Sequence, residues 1–133
     1  MLLFRMGTTT YAVDVTDAQE IIPFRPSTRL PGAPPYVRGL INVRGTIVTV
    51  VDLGLRLDAT RTPVTDGSVL LVPHRNGLVG VLVEEVADVR PLDVDDTVVP
   101  ASPNAIVRGV ARVDDDPVLV LDLRTLVKQV LLS

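Results

Sequence analysis

The sequence contains no cysteine, one histidine (His74) and few aromatic residues, which form 3% of its 133 residues. Without cysteine the chain has no disulfide framework, no thiolate nucleophile and no cysteine-based zinc site. Its net charge of −3 argues against a dedicated nucleic-acid binder. No apolar run approaches the roughly 18 residues of a membrane helix. The start of the chain lacks the basic and apolar regions of a signal peptide, so we expect a cytoplasmic protein.

What the chain has in abundance is valine and leucine, within a hydrophobic fraction of 47%. β-Branched side chains favour pleated sheet, and the eleven prolines and nine glycines are scattered as turn signals. The pattern therefore predicts a mainly β protein. It predicts a hairpin over 2–15 and strands at about 39–43, 46–53, 68–73, 78–83, 106–113 and 117–122.

Helical signals are few and short. The run from Thr16 to Gln19 has the form of a capping box and predicts a short helix toward Ile22. Residues 54–57 predict one helical turn, and the apolar spacing after Leu123 predicts a C-terminal helix. Residues 83–89 fit either a strand or a helix. The strand at 46–53 is nearly all apolar, so we expect it to be covered on both faces.

An internal repeat is the most informative feature of the chain. Val37-Arg38-Gly39 recurs seventy positions later as Val107-Arg108-Gly109, and eight of the seventeen residues from 37 to 53 are identical at that offset. The repeat predicts units at about 1–60 and 68–133, with the polar loop 58–67 between them. Each unit is small, so we expect two five-stranded barrels that pack on each other within one domain, 1–133.

The residues that most often carry catalysis or bind metals give no site here. His74 lies beside an Asn-Gly turn, where a histidine is usually solvated, and no nucleophile or nucleotide-binding motif is present. Asp93, Asp95 and Asp96 do not follow the order of a calcium loop, and the aspartates at 114–116 fit a charged turn. We therefore expect no catalytic residue, no metal and no cofactor.

Three charged residues at the ends of apolar strands are better candidates for a defined role. Asp52 and Asp122 each end such a strand before a helical turn, which predicts that both are helix caps. Arg44 lies at a tight connection between two strands. It is either solvated, paired with Glu20 or Asp52, or presented as a cation to a partner. Its counterpart in the repeat is Asp114, so the repeated architecture does not require the arginine.

The order of these segments resembles a known family. LPGAPPYVRGLINVRGTIVTVVDL, over 30–53, closely resembles the signature stretch of the CheW-like chemotaxis coupling proteins. TYAVDVTDAQEII upstream, and GVLVEEVADV and VLVLDLRTLV downstream, fall where that family has similar stretches. The resemblance spans about 4–128. It implies two SH3-like barrels and a non-enzymatic adapter, which bridges chemoreceptor cytoplasmic tips and the regulatory domain of the chemotaxis histidine kinase.

The resemblance also implies site residues and a location. The receptor-binding residues carried over by motif are Ala18, Glu20, Gly39, Asn42, Arg44 and Gly45. The kinase-binding residues are not marked by a motif and stay unknown. The family role implies a cytoplasmic protein that is recruited to receptor arrays at the inner membrane.

The sequence departs from the family pattern at two positions, and it leaves alternative functions open. Ala18 stands where the family has a larger apolar residue, and Thr49 replaces a frequent proline. The chain fits an adapter of flagellar chemotaxis or of another chemosensory system, and a β-barrel small-molecule binder is a further alternative. The initial methionine favours a standalone adapter over a detached domain of a larger protein.

Overall fold

The computed structural model describes residues 1–75, 77–95 and 106–132. These residues form two five-stranded sheets and two α-helices, with one 3-10 turn at Val15–Asp17. The strands are β1 (Leu2–Met6), β2 (Thr9–Val13), β3 (Glu20–Pro23), β4 (Val37–Val43), β5 (Thr46–Asp52), β6 (Ser68–His74), β7 (Gly77–Val83), β8 (Glu85–Val89), β9 (Val107–Val113) and β10 (Asp116–Leu121). The helices are α1 (Leu53–Leu57) and α2 (Leu123–Leu132). The predicted mainly β fold with a C-terminal helix is confirmed.

The two sheets have the same internal strand order. Each combines a hairpin from one half of the chain with three strands from the other half. One sheet has the order β8-β1-β2-β10-β9 and the other β3-β6-β7-β5-β4. In the first, the hairpin β1–β2 from the start of the chain joins three strands from its end. In the second, the hairpin β6–β7 joins β3, β4 and β5. The joining pairs, β2 with β10 and β5 with β7, are parallel.

This exchange explains why the compact units differ from the two halves of the sequence repeat. One unit combines residues 1–17 with the chain from Val86 onward, and the other is continuous over 18–85. We call them the split unit and the continuous unit. The loop 58–67, which the sequence suggested as a boundary, lies inside the continuous unit. There Phe24 donates its backbone N–H to the Gly67 carbonyl at 2.9 Å.

Each unit has its own apolar interior built from alternate strand positions. In the split unit a buried cluster comprises Leu3, Ala12, Ala111, Val118 and Val120. In the continuous unit, valine side chains from β5 and β6 converge on Gly80 of β7, where a Cβ atom would lie 2.7 Å from Val69 Cγ1. The interior is therefore filled by small and β-branched side chains, as the composition predicts.

The helix predicted toward Ile22 is wrong. The chain makes a single 3-10 turn and then enters β3, where Ile22 is buried and lies opposite Val69 of β6. The Asp14 carboxylate accepts hydrogen bonds from the Thr16 N–H at 2.9 Å and hydroxyl at 2.8 Å. These local bonds support a short turn, and burial of Ile22 in the sheet then outweighs helix propensity.

In two other segments the structure adds to or corrects the sequence prediction. The ambiguous stretch 83–89 continues β7 to Val83 and then forms β8. The expected burial of both faces of β5 holds only for its second half. Val50 and Val51 are buried, whereas Ile47 is 60% exposed. The outer face of β5 is thus open to solvent near the β4–β5 turn.

In each unit, a backbone segment outside the named strands lies against a glycine of an edge strand and pairs with the residue that follows this glycine. After β3, Thr28 pairs with Leu40 of β4 through two backbone hydrogen bonds of 2.8 Å. A Cβ atom at Gly39 would lie 2.2 Å from the Thr28 carbonyl oxygen, and Gly39 has a φ of +130°. Gly109 occupies the equivalent place on β9, where a Cβ would lie 2.5 Å from the carbonyl oxygen of Asp95. Only glycine permits this approach.

We predict that Val50→Asp and Val120→Asp each destabilise the protein by on the order of 4 kcal/mol, because both side chains are fully buried and the new carboxylate has no partner. Ile47→Asp on the same strand as Val50 is the control, with an expected cost of about 1 kcal/mol or less. Urea unfolding measures all three. A stable Val50→Asp variant would contradict the burial of this strand.

We also predict that Gly39→Ala destabilises the protein by about 2–4 kcal/mol, because its Cβ would overlap the Thr28 carbonyl in a backbone conformation that alanine disfavours. Gly77→Ala is the matched control. Its Cβ would meet no atom within 4 Å, so we expect a change below about 1 kcal/mol. Thermal unfolding measures both variants. Equal melting temperatures for the two would show that the crossing segment tolerates displacement.

Candidate functional site

An exposed ion pair between Arg44 and Glu20 forms the centre of the candidate site. Arg44 Nη1 donates to Glu20 Oε2 at 3.1 Å, and Nη2 donates to Oε1. The two guanidinium nitrogens thus hold both carboxylate oxygens. Of the arrangements that the sequence left open for Arg44, the structure contains the pairing with Glu20. Asp52 is paired instead with Arg38.

A tight turn presents Arg44 to solvent. The turn joins Val43 to Thr46, and its two central residues, Arg44 and Gly45, have φ values of +48° and +86°. Two consecutive positive φ values are typical of the two-residue hairpin turn. The Asn42 side-chain oxygen accepts the Gly45 N–H at 2.8 Å. Asn42 and Gly45 therefore shape the turn that positions the arginine.

Glu20 reaches this turn from the opposite edge of the same sheet. It begins β3, which ends the strand order at one side, whereas β4 ends it at the other. The ion pair thus joins the two edges that the Thr28 crossing brings together. Gln19 donates its N–H to the Leu71 carbonyl at 2.7 Å and fixes the start of β3. Ala18, the first residue of the continuous unit, is half-buried just before it.

The charges of the pair stabilise each other's ionised forms. The hydrogen bond from Arg44 lowers the pKa of Glu20 below its ordinary 4.5, and the charges of Arg44 and Arg25 lower it further. The same contact raises the pKa of Arg44. A carboxylate with a lowered pKa adds stability above its unfolded pKa and loses it only as the pH falls through the folded value. The pair is therefore intact throughout the neutral range.

This pair orients side chains more than it stabilises the fold. The Arg44 side chain is 68% exposed and that of Glu20 is 36% exposed. Exposed ion pairs contribute little to folding because water and salt screen them. A bidentate arginine–carboxylate contact nevertheless fixes geometry. The site therefore presents a charged group in a defined orientation, which is what a recognition surface requires.

A buried carboxylate lies at the end of β5 that is far from the Arg44-Gly45 turn. Asp52 is fully buried and is the N-cap of α1, where its Oδ1 accepts the Leu55 N–H at 3.2 Å. Its Oδ2 accepts the Val64 N–H at 3.0 Å and contacts Arg38 Nη1 at 3.4 Å. Arg38 also donates to the Val64 carbonyl, and its guanidinium lies 5.2 Å from the centre of the Phe24 ring. Asp52 thereby ties the loop 58–67 and the segment after β3 to β4.

The second predicted cap lies at the equivalent place in the split unit. Asp122 precedes α2, and its Oδ1 accepts the Thr125 N–H at 3.1 Å. Unlike Asp52, it is only half-buried. Arg38 was not singled out in the sequence except as part of the repeat. The sequence feature that could have indicated Arg38 is Asp52, because a carboxylate that ends an apolar strand is buried and requires a cation or several hydrogen-bond donors.

Of the remaining sequence candidates, three aspartates of the split unit line one cavity: Asp93, Asp95 and Asp114. His74 is half-buried at the end of β6. Asp114 and Asp115 form the β9–β10 turn with φ values of +51° and +67°, and Arg112 donates to the Asp115 carbonyl at 3.1 Å. Asp96 lies outside the described residues. Within the described residues, no three histidine or acidic side chains are grouped to hold a metal, and no helix has the length and apolarity to cross a membrane.

Known proteins resemble this chain over nearly its whole length. It is 29% identical to the probable chemotaxis protein CheW of Rhizobium etli, over 95% of this chain and 85% of that protein. It is 32% identical to the chemotaxis protein CheW of Bacillus subtilis, over 80% of this chain and 67% of that protein.

A solved structure agrees with the fold. The crystal structure of the scaffolding protein TtCheW from Thermoanaerobacter tengcongensis superposes with a TM-score of 0.77 at 26% identity, covering 92% of this chain and 87% of that one. This likeness confirms the predicted SH3-like architecture. The family model for the CheW-like domain matches residues 1–131. The chain therefore belongs to the CheW-like domain family.

Proposed function

We propose that this chain is a non-enzymatic scaffold that couples chemoreceptor cytoplasmic tips to the regulatory domain of a chemotaxis histidine kinase. The observation that carries the proposal is the exposed, bidentate Arg44–Glu20 pair at the closure of the continuous unit. A pair of this kind contributes little to the fold, yet the Arg44-Gly45 turn and the Thr28–Leu40 backbone pairing hold it in place. Such an arrangement suits recognition of another protein.

The proposed receptor-binding face consists of Ala18, Glu20, Gly39, Asn42, Arg44 and Gly45. Its support is that all six residues belong to the continuous unit and that direct contacts join four of them. Arg44 contacts Glu20, Asn42 contacts Gly45, and Gly39 lies directly before the Leu40 pairing with Thr28. In this proposal the charged pair makes polar contacts with the receptor tip. Asn42 and the two glycines hold the backbone that presents the pair, and Ala18 adds a small apolar contact beside it.

Coupling then requires no chemical step. The chain binds the receptor tip through this face and the kinase regulatory domain through a second surface, and so favours one geometry of kinase and receptor. A signal passes if the two receptor states bind the scaffold with unequal affinity. Individual contacts of this kind are weak and gain strength when many are linked in an array. The chain is recruited to the inner membrane through these partners, without a cofactor.

Titration calorimetry against two partners from the same genome tests the proposal. One partner is a soluble receptor-tip fragment and the other is the kinase regulatory region. We expect the wild type to bind both. We expect Arg44→Ala to keep its melting temperature and its kinase affinity, and to bind the tip about tenfold more weakly, because an anchoring arginine is lost.

The matched control is Arg112→Ala, an exposed arginine of β9 in the split unit that contacts its own turn. It removes the same charge away from the proposed face, so tip binding should be retained. Equal tip affinity for the wild type and Arg44→Ala would place the receptor face elsewhere. Failure of the wild type to bind either partner would reject the coupling function.

A further inference from the structure

A second arginine lies beside the ion pair. Arg25 follows β3, is exposed, and donates from Nη1 to the backbone carbonyl of Asn42 at 3.2 Å. Its charge is near enough to Glu20 to contribute to the lowered pKa of that carboxyl group. No sequence pattern marks Arg25 as a site residue, because nothing in the sequence indicates that the chain after β3 returns to β4.

The backbone around Arg25 is fixed on both sides. Pro23 and Pro26 flank the Phe24-Arg25 pair, and a residue that precedes proline is restricted to extended conformations. Phe24 is anchored by its hydrogen bond to Gly67 and by the Arg38 guanidinium over its ring. Thr28 is anchored by its pairing with β4. The guanidinium therefore starts from an ordered backbone, which reduces the entropy lost when a partner binds it.

The local charges do not balance. Arg44 engages both oxygens of Glu20, so that carboxylate is already matched by one arginine. Among the described residues, no acidic side chain is within ion-pair distance of Arg25. The three side chains together carry two positive charges and one negative charge. One cation is thus left for a group supplied from outside the chain.

We propose that Arg25 is a specificity-determining residue of this face, selecting a receptor-tip segment that places a carboxylate opposite its guanidinium. The inference rests on the proposed function and adds a residue to it. Arg44 is already paired with Glu20, whereas Arg25 can accept a new carboxylate without first losing one. An arginine fork held by a carbonyl contact suits this role, since its remaining N–H groups can bind both oxygens of the incoming acid.

The test compares charge variants in binding to a labelled receptor-tip fragment by fluorescence anisotropy. We expect Arg25→Glu to weaken binding about tenfold and Arg25→Gln about threefold at low salt, with the differences shrinking at high salt. The matched control is Arg29→Glu, which makes the same charge change at an exposed arginine of the same segment. We expect its effect to stay within about twofold. Replacing the opposing acid of the tip by arginine should restore binding to Arg25→Glu.

The outcomes separate this inference from the proposed function. Equal effects of Arg25→Glu and Arg29→Glu would show general attraction and would overturn the role of Arg25, even if Arg44→Ala weakens binding. Failure of every single acid-to-arginine tip variant to rescue Arg25→Glu would also overturn it. If the wild-type chain does not bind the tip at all, the proposed function fails and the inference falls with it. Unchanged kinase-region affinity shows that the variants are folded.

Discussion

The close approach of the backbone at Thr28 to Gly39 is the constraint on which the continuous unit depends. The two-way hydrogen bonding between Thr28 and Leu40 brings the chain that leaves β3 onto β4, at the opposite edge of the sheet. No side chain larger than hydrogen fits at Gly39. Because the two edges meet there, Glu20 can reach Arg44. A single steric requirement therefore connects the repeated glycine of the sequence to the geometry of the charged surface.

The same device recurs in the split unit, but with a different surface. Gly109 again lies beneath a backbone pairing, there between Asp95 and Val110. The turn that corresponds to Arg44-Gly45 is Asp114-Asp115, which also has two consecutive positive φ values but carries the opposite charge. The repeat thus preserves what closure requires, glycine and backbone conformation, and leaves the turn side chains free to differ. This divergence supports a recognition role for Arg44 rather than a structural one.

Much of the fold could be predicted because local patterns and tertiary packing agree. The strands within 37–52 and 107–121 are rich in valine and are joined by turn residues, and the cap at Asp52 precedes a helix. The prediction failed at 16–22, where burial of Ile22 decides the structure, and at Ile47, which the apolar pattern placed inside. The exchange of hairpins could not be predicted, since a repeat specifies equivalent positions and not which copies pair. For the same reason the sequence marks Arg44 as a candidate, but it indicates neither the pairing of Arg44 with Glu20 rather than Asp52 nor the position of Arg25 against the Asn42 carbonyl.

The most direct test of the coupling account is kinase autophosphorylation in membranes that carry the receptor, measured with and without this chain. If the chain couples the two partners, kinase activity responds to the receptor ligand only when the chain is present. The response then also rises with the concentration of the chain until both partners are saturated. A kinase that responds equally well without the chain would contradict the account, and so would a kinase that never responds although both partners bind.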